Sequence, residues 1–151
     1  MNISLQENFE QDCDALSQRF GGQLRVIAEQ SVRVWFNRGR LDMLLSEYVG
    51  VLPDCELIYA IDVDGRQVSS NIHTNSMDVS AYGQDLSRRP YAVSLSVLNN
   101  ATFHGAFACK AYTSQVSQRS CVTVMRGVTS ASSLMGYIAA DFLPWTDRFS
   151  P

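Results

Sequence analysis

The apolar positions of this chain change their period once, near Pro53, and that change divides it. Before it they recur at helical spacing. Ser4 and Glu7 form a capping-box pattern, Ser-Leu-Gln-Glu, at a helix start. Leu5, Phe9, Cys13, Leu16 and Phe20 then fall on one face, and Gly21-Gly22 is expected to interrupt or kink the helix. A second amphipathic run follows through Leu24, Ile27, Ala28, Val34, Trp35, Leu41, Leu44, Leu45 and Tyr48, with Gly39 as a weak point inside it. Stripes of this kind predict core or dimer surface rather than a ligand box.

After Pro53-Asp54 the pattern is that of strands. Leu57-Ile58-Tyr59-Ala60-Ile61-Asp62-Val63 is a short, β-branched apolar run, hence a buried strand. Asp64-Gly65 is a hairpin turn signal, and Gln67-Val68-Ser69-Ser70 returns from it. The polar stretch from Asn71 to Asp85 reads as a long loop with room for a short helix. Ser87 caps a short helix from Arg88 to about Leu98, which Asn99-Asn100 ends. Three strand-like segments follow, Thr102 to Thr113, Arg119 to Thr129 and Leu134 to Phe142, with serine-rich turns between them. Connections that short demand antiparallel pairing. The expected fold class is α+β: one five-stranded antiparallel sheet with the long N-terminal helices on one side. The whole chain, 1–151, reads as one domain, helical over 1–52 and sheet-forming over 53–143.

Composition narrows the function. Apolar residues make up 46% and charged residues 18% of 151 residues, enough for a core without metals or disulfides. A net charge of −3 argues against nucleic acid as a partner. No apolar run approaches the roughly 20 residues that cross a bilayer, and the N-terminus lacks a basic-then-apolar signal. The expectation is therefore a cytoplasmic protein, with the periplasmic sensor region of a membrane receptor as the alternative. Cys13, Cys55, Cys109 and Cys121 form no CxxC pair, and His73 and His104 stand far apart, so no metal and no cofactor are expected. Buried, reduced thiols are the plain reading of the cysteines. Cys109 and Cys121 flank a hairpin and are placed to pair across it only in an oxidising compartment. No P-loop, Gly-x-Ser-x-Gly or His-Glu-x-x-His segment occurs, and the chain is read as a non-enzyme.

Four segments carry a resemblance. They are Ile61-Asp62-Val63-Asp64-Gly65-Arg66, then Tyr82-Gly83-Gln84-Asp85-Leu86-Ser87-Arg88-Arg89-Pro90-Tyr91, then Tyr112-Thr113-Ser114, and last Gly136-Tyr137-Ile138-Ala139-Ala140-Asp141-Phe142. In this order they resemble the Cache sensor domains, also called PDC or PAS-like domains. The resemblance covers most of the chain, and its most specific part is the segment from Gly83 to Tyr91. It implies a PAS-like fold and a signal-input role, with an amino acid, amine or short carboxylate bound between the sheet and the long loop. It also implies the site: Arg88, Arg89, Tyr91, Tyr112, Ser114 and Asp141. A guanidinium suits a carboxylate, a strand-end carboxylate suits an ammonium group, and tyrosines wall the pocket. Pro90 stands where amino-acid binders of this family carry Trp, which opens the ligand class to other small acids. The expected partners are a small-molecule ligand, a second copy of the chain through the N-terminal helices, and a downstream signalling protein or domain. The alternative is a dimerisation or protein-interaction module that binds no ligand.

Overall fold

Residues 19–53, 55–86, 106–108, 112–113, 120–131 and 133–142 are described in the structure, a computed structural model. The first helix, α1, is helical over 19–31 and runs straight through Gly21-Gly22, where the sequence suggests a break. The break comes instead at Val32–Val34, a single 3-10 turn. Two local features place it there. Ser31 turns its hydroxyl back onto the Ile27 carbonyl at 2.7 Å, a bond that loosens a helix end. Asn37, extended at φ −119°, caps the next helix by accepting the Arg40 N–H at 3.1 Å. That helix, α2, spans Arg38–Val49, and Gly39 is accommodated in its first turn.

The sheet is built from β1 (Cys55–Asp62), β2 (Asn71–Ile72), β3 (Met77–Asp78), β4 (Ala106–Ala108), β5 (Tyr112–Thr113), β6 (Ser120–Ser130) and β7 (Ser133–Phe142). The order is β3-β2-β1-β7-β6-β4, with β5 also against β6, and every pairing is antiparallel. The expected antiparallel sheet is present, with β1, β6 and β7 in the expected segments and both β4 and β5 inside the expected strand Thr102 to Thr113; the ladder strand next to β1 is Asn71–Ile72 rather than Gln67–Ser70. The return from the Asp64-Gly65 turn is more broken than a plain hairpin. Gly65 takes φ +87°, which favours glycine. Gln67 bridges Ile61, Val68 donates to the Ala60 carbonyl at 2.9 Å, and only Asn71–Ile72 forms a ladder against Ile58. The stretch read as a loop after Asn71 therefore contains β2, β3 and a 3-10 turn at Val79–Ala81.

The central strands bury both faces. On one, Ile58, Ala60, Val124, Val128, Ile138, Ala140 and Phe142 pack with Phe20, Leu24, Ile27, Leu41 and Leu45 from the helices. Phe20 stacks on Phe142 with ring centroids 4.8 Å apart. On the other face Leu57, Tyr59, Ile61, Met125, Tyr137 and Ala139 form a second cluster that also holds Leu86. Burial on both sides replaces the alternation of a half-wet sheet with a continuous apolar run. Among the described residues no helix is long and apolar enough to cross a membrane.

Candidate functional site

The second face, away from α1 and α2, carries Asp141, the candidate site residue whose side chain the structure describes. Asp141 sits on β7 between Leu57 of β1 and Thr123 of β6. Strand alternation turns it to the same side as Tyr137 and Ala139. Its side chain is 3% exposed, so a strand-end carboxylate is held inside the protein. Burial of that kind requires hydrogen-bond donors. Thr123 supplies one, its hydroxyl donating to Asp141 Oδ1 at 2.7 Å, and the Tyr59 hydroxyl reaches the same oxygen at 3.4 Å. Cys55, one register step away at the start of β1, feels this setting. Burial, with the nearby Asp141 charge adding to it, pushes its thiol far above the ordinary range, and the Sγ donates to the Leu57 carbonyl at 3.4 Å. A thiol in that state is inert as a nucleophile. Tyr137, on the same face, has its phenol pushed up to about 12 by burial.

Tyr112 lies in β5 opposite Cys121, two residues along β6 from Thr123. Its backbone thus shares the Asp141 end of the sheet. Arg88, Arg89, Tyr91 and Ser114 lie outside the described residues, as do Cys13, Cys109 and the short helix expected after Ser87. What the structure does describe is the approach to them. Residues 83–86 are tied to the β1 turn: Gly83 donates to the Gln67 carbonyl and Gln67 to the Gln84 carbonyl, both at 2.9 Å, and Leu86 donates to the Gly65 carbonyl at 2.8 Å. The Arg66 guanidinium donates to the Gly83 carbonyl at 2.9 Å. Leu86, 5% exposed, is packed within the second-face cluster. The chain is therefore delivered onto this face two residues before Arg88.

Three features here escaped the sequence reading. Tyr59 and Thr123, the donors to Asp141, look like ordinary strand residues; the signal was parity, since positions 57, 59 and 61 face the side of 137, 139 and 141. The third is a polar knot behind the turn. Asp42 of α2, 5% exposed, accepts the Ser70 N–H at 2.8 Å and the Ser70 hydroxyl at 2.6 Å. Gln67 Nε2 donates to the Ser69 carbonyl at 2.9 Å and to Asn71 Oδ1 at 2.8 Å. Among the described residues no group of three or more potential ligands is arranged to hold a metal.

No family model and no curated protein matches the chain. Solved structures do. The Bacillus subtilis YkuI protein, which has an EAL domain and was solved with c-di-GMP and calcium, matches at a TM-score of 0.69 and 18% identity, over 93% of this chain and 35% of that one. An extracellular ligand-binding receptor from Desulfohalobium retbaense matches at 0.55 and 10% identity, over 93% and 23%. The ligand-binding domain of the Campylobacter jejuni chemoreceptor Tlp3, in complex with 4-methylisoleucine, matches at 0.52 and 12% identity, over 96% and 53%. The chain thus spans at most about half the length of these three structures. At such identities the likeness is one of fold, and the fold is the PAS-like one of sensory domains.

Proposed function

We propose that this chain is a signal-input domain that binds a small molecule on the sheet face away from the helices. Asp141 is the anchor for an amine. The anionic end of the ligand goes to Arg88 or Arg89, Tyr91 and Tyr112 close the site, and Ser114 adds a hydroxyl. The observation that carries this reading is the buried Asp141 carboxylate, oriented by the Thr123 and Tyr59 hydroxyls on the face opposite α1 and α2. The delivery of Leu86 onto the same face supports the arginine half. Leu86 shares one cluster with Ile61, and Ile61 lies four positions along β1 from Leu57 beside Asp141, about 13 Å of strand. Arg88 is two residues past Leu86, a reach of about 7 Å before its side chain is counted. An amino acid, an amine or a short carboxylate fits between the two ends.

The test is a thermal-shift screen of amino acids, amines and short carboxylates, because a bound ligand raises the melting temperature by mass action. Calorimetric titration of a hit into wild type, Asp141→Asn, Arg88→Ala and Arg89→Ala follows. Losing one charge-assisted contact costs about ten- to a hundredfold in affinity. Unchanged affinity in all three variants would overturn the site. We further propose a homodimer through the N-terminal helices, for which light scattering at micromolar concentration is the check; the described part of α1 leaves Val26 44% exposed beside buried Leu24 and Ile27. As a signal-input module the chain works as the extracytoplasmic region of a receptor, a reading favoured over the cytoplasmic one by the extracellular receptor among its structural neighbours.

A further inference from the structure

A second cleft opens at the other end of the sheet, where β1 ends, β7 begins and α1 hands over to α2. It is lined by Trp35, Phe36, Arg38, Asp62, Val68, Tyr82, Leu134 and Met135 and encloses about 440 Å³. A volume of that size, walled by apolar and aromatic groups with a few charges, is what small-molecule sites look like. Its details narrow the occupant. Arg38 lies over the Tyr82 ring, 4.8 Å from its centroid, and among the described residues it makes no hydrogen bond or ion pair. Stacking uses the face of the guanidinium and leaves its five N–H donors at the edge. The negative residue of the cleft, Asp62, is already engaged: its Oδ1 accepts the Asp64 N–H at 2.9 Å and the Arg66 N–H at 3.0 Å. Phe36 is 91% exposed and Tyr82 47%, so two large rings face water at the mouth of a hollow that Trp35 floors. Exposed aromatics around a cavity mark a binding surface more than a folding need.

From these features we infer that the cleft is a second ligand site, for a flat aromatic molecule carrying one anionic group. The ring stacks against Phe36 and Tyr82 over Trp35, and the anion takes the free edge of Arg38. This site is independent of the one around Asp141, and its occupancy does not require that reading.

The probe is 2-naphthoate, with 2-naphthamide as its neutral counterpart of the same shape. Binding is followed by saturation-transfer NMR and by the shift of the Trp35 indole N–H. The expected result is saturable binding of 2-naphthoate, with the amide at least about tenfold weaker because it lacks the charge-assisted contact. Arg38→Met is expected to weaken 2-naphthoate about ten- to a hundredfold and to erase the preference over the amide. Phe36→Ala, a change at an exposed position that leaves the core intact, is expected to weaken both compounds. Asp141→Asn is expected to change neither. No saturable binding of 2-naphthoate would overturn the inference. So would equal affinity for acid and amide, or an affinity that Arg38→Met leaves intact. Loss of binding in Asp141→Asn, with Arg38→Met unaffected, would assign the probe to the other face and overturn it as well.

Discussion

Asp42 Oδ2 and the Ser70 hydroxyl lie 2.6 Å apart, and Oδ1 of the same carboxylate accepts the Ser70 N–H at 2.8 Å. A helix side chain thus stands in for the strand partner that the return from the β1 turn lacks at this point. Both groups on Ser70 are buried and lose their acceptor if the carboxylate goes. Asp42→Ala is expected to cost about 2–4 kcal/mol, since each stranded buried donor costs about 1–3. Asp42→Asn, which keeps one carbonyl oxygen, is expected to lose less. Urea unfolding of the three proteins checks the ranking.

Gly136 has no room for a side chain. A β-carbon there would strike the Ile61 carbonyl and come within 2.6 Å of the Trp35 ring. Backbone cannot yield as a flexible side chain can, so Gly136→Ala is expected to destabilise by at least about 2 kcal/mol. Adding Trp35→Phe is expected to recover only part of the loss, because the Ile61 clash remains. A thermal melt of the single and double variants measures both.

Tyr137 couples folding to alkaline pH. Its phenol titrates near 10.0 when exposed and is pushed up to about 12 by burial. Below pH 10 both states hold the proton and the group leaves stability flat. Between about 10 and 12 the unfolded chain releases it first, so stability falls with rising pH. Tyr137→Phe is expected to remove that part of the slope. Denaturation between pH 9 and 11.5, with phenolate absorbance recorded alongside, is the measurement.

Thr123→Val keeps the shape of the side chain and deletes the 2.7 Å donor to Asp141. The buried carboxylate is left short by one bond, for an expected loss of about 1–3 kcal/mol. Thr123→Ser retains the hydroxyl and is expected to stay near wild type. If Asp141 anchors an amine, Val at this position also weakens the ligand, because the carboxylate is no longer held in one orientation.

Much of the fold is written in the apolar pattern. The strand run from Leu57, the turn at Asp64-Gly65 and the closing β6–β7 pair are where periodicity and turn chemistry put them. The misplaced helix break has a physical cause. Two glycines cost about 1 kcal/mol each in a helix, which the packing of Phe20, Leu24 and Ile27 outweighs. The real break depends on Ser31 and Asn37, whose side-chain bonds to nearby backbone do not appear in an apolar pattern. Of the candidate site, Asp141 was legible as a buried carboxylate, because a charge closing an apolar strand stands out. Its two hydroxyl donors were not, since Tyr59 and Thr123 become neighbours of Asp141 only through strand register across 82 and 18 residues. Asp42 was hidden for the same reason: on its helix it looks like a solvated charge.

The double burial of the sheet has a consequence for how this molecule can change. Each central strand carries two interleaved texts. Even positions, among them Ile58, Ala60, Val124, Ile138, Ala140 and Phe142, speak to the helices. Odd positions, among them Leu57, Tyr59, Met125, Tyr137, Ala139 and Asp141, speak to the opposite side. One text can be rewritten while the other is left standing. A library that varies only Leu57, Tyr59, Ile61, Met125, Tyr137 and Ala139 would sample new chemistry on one side of the sheet while the helices keep the seat they have.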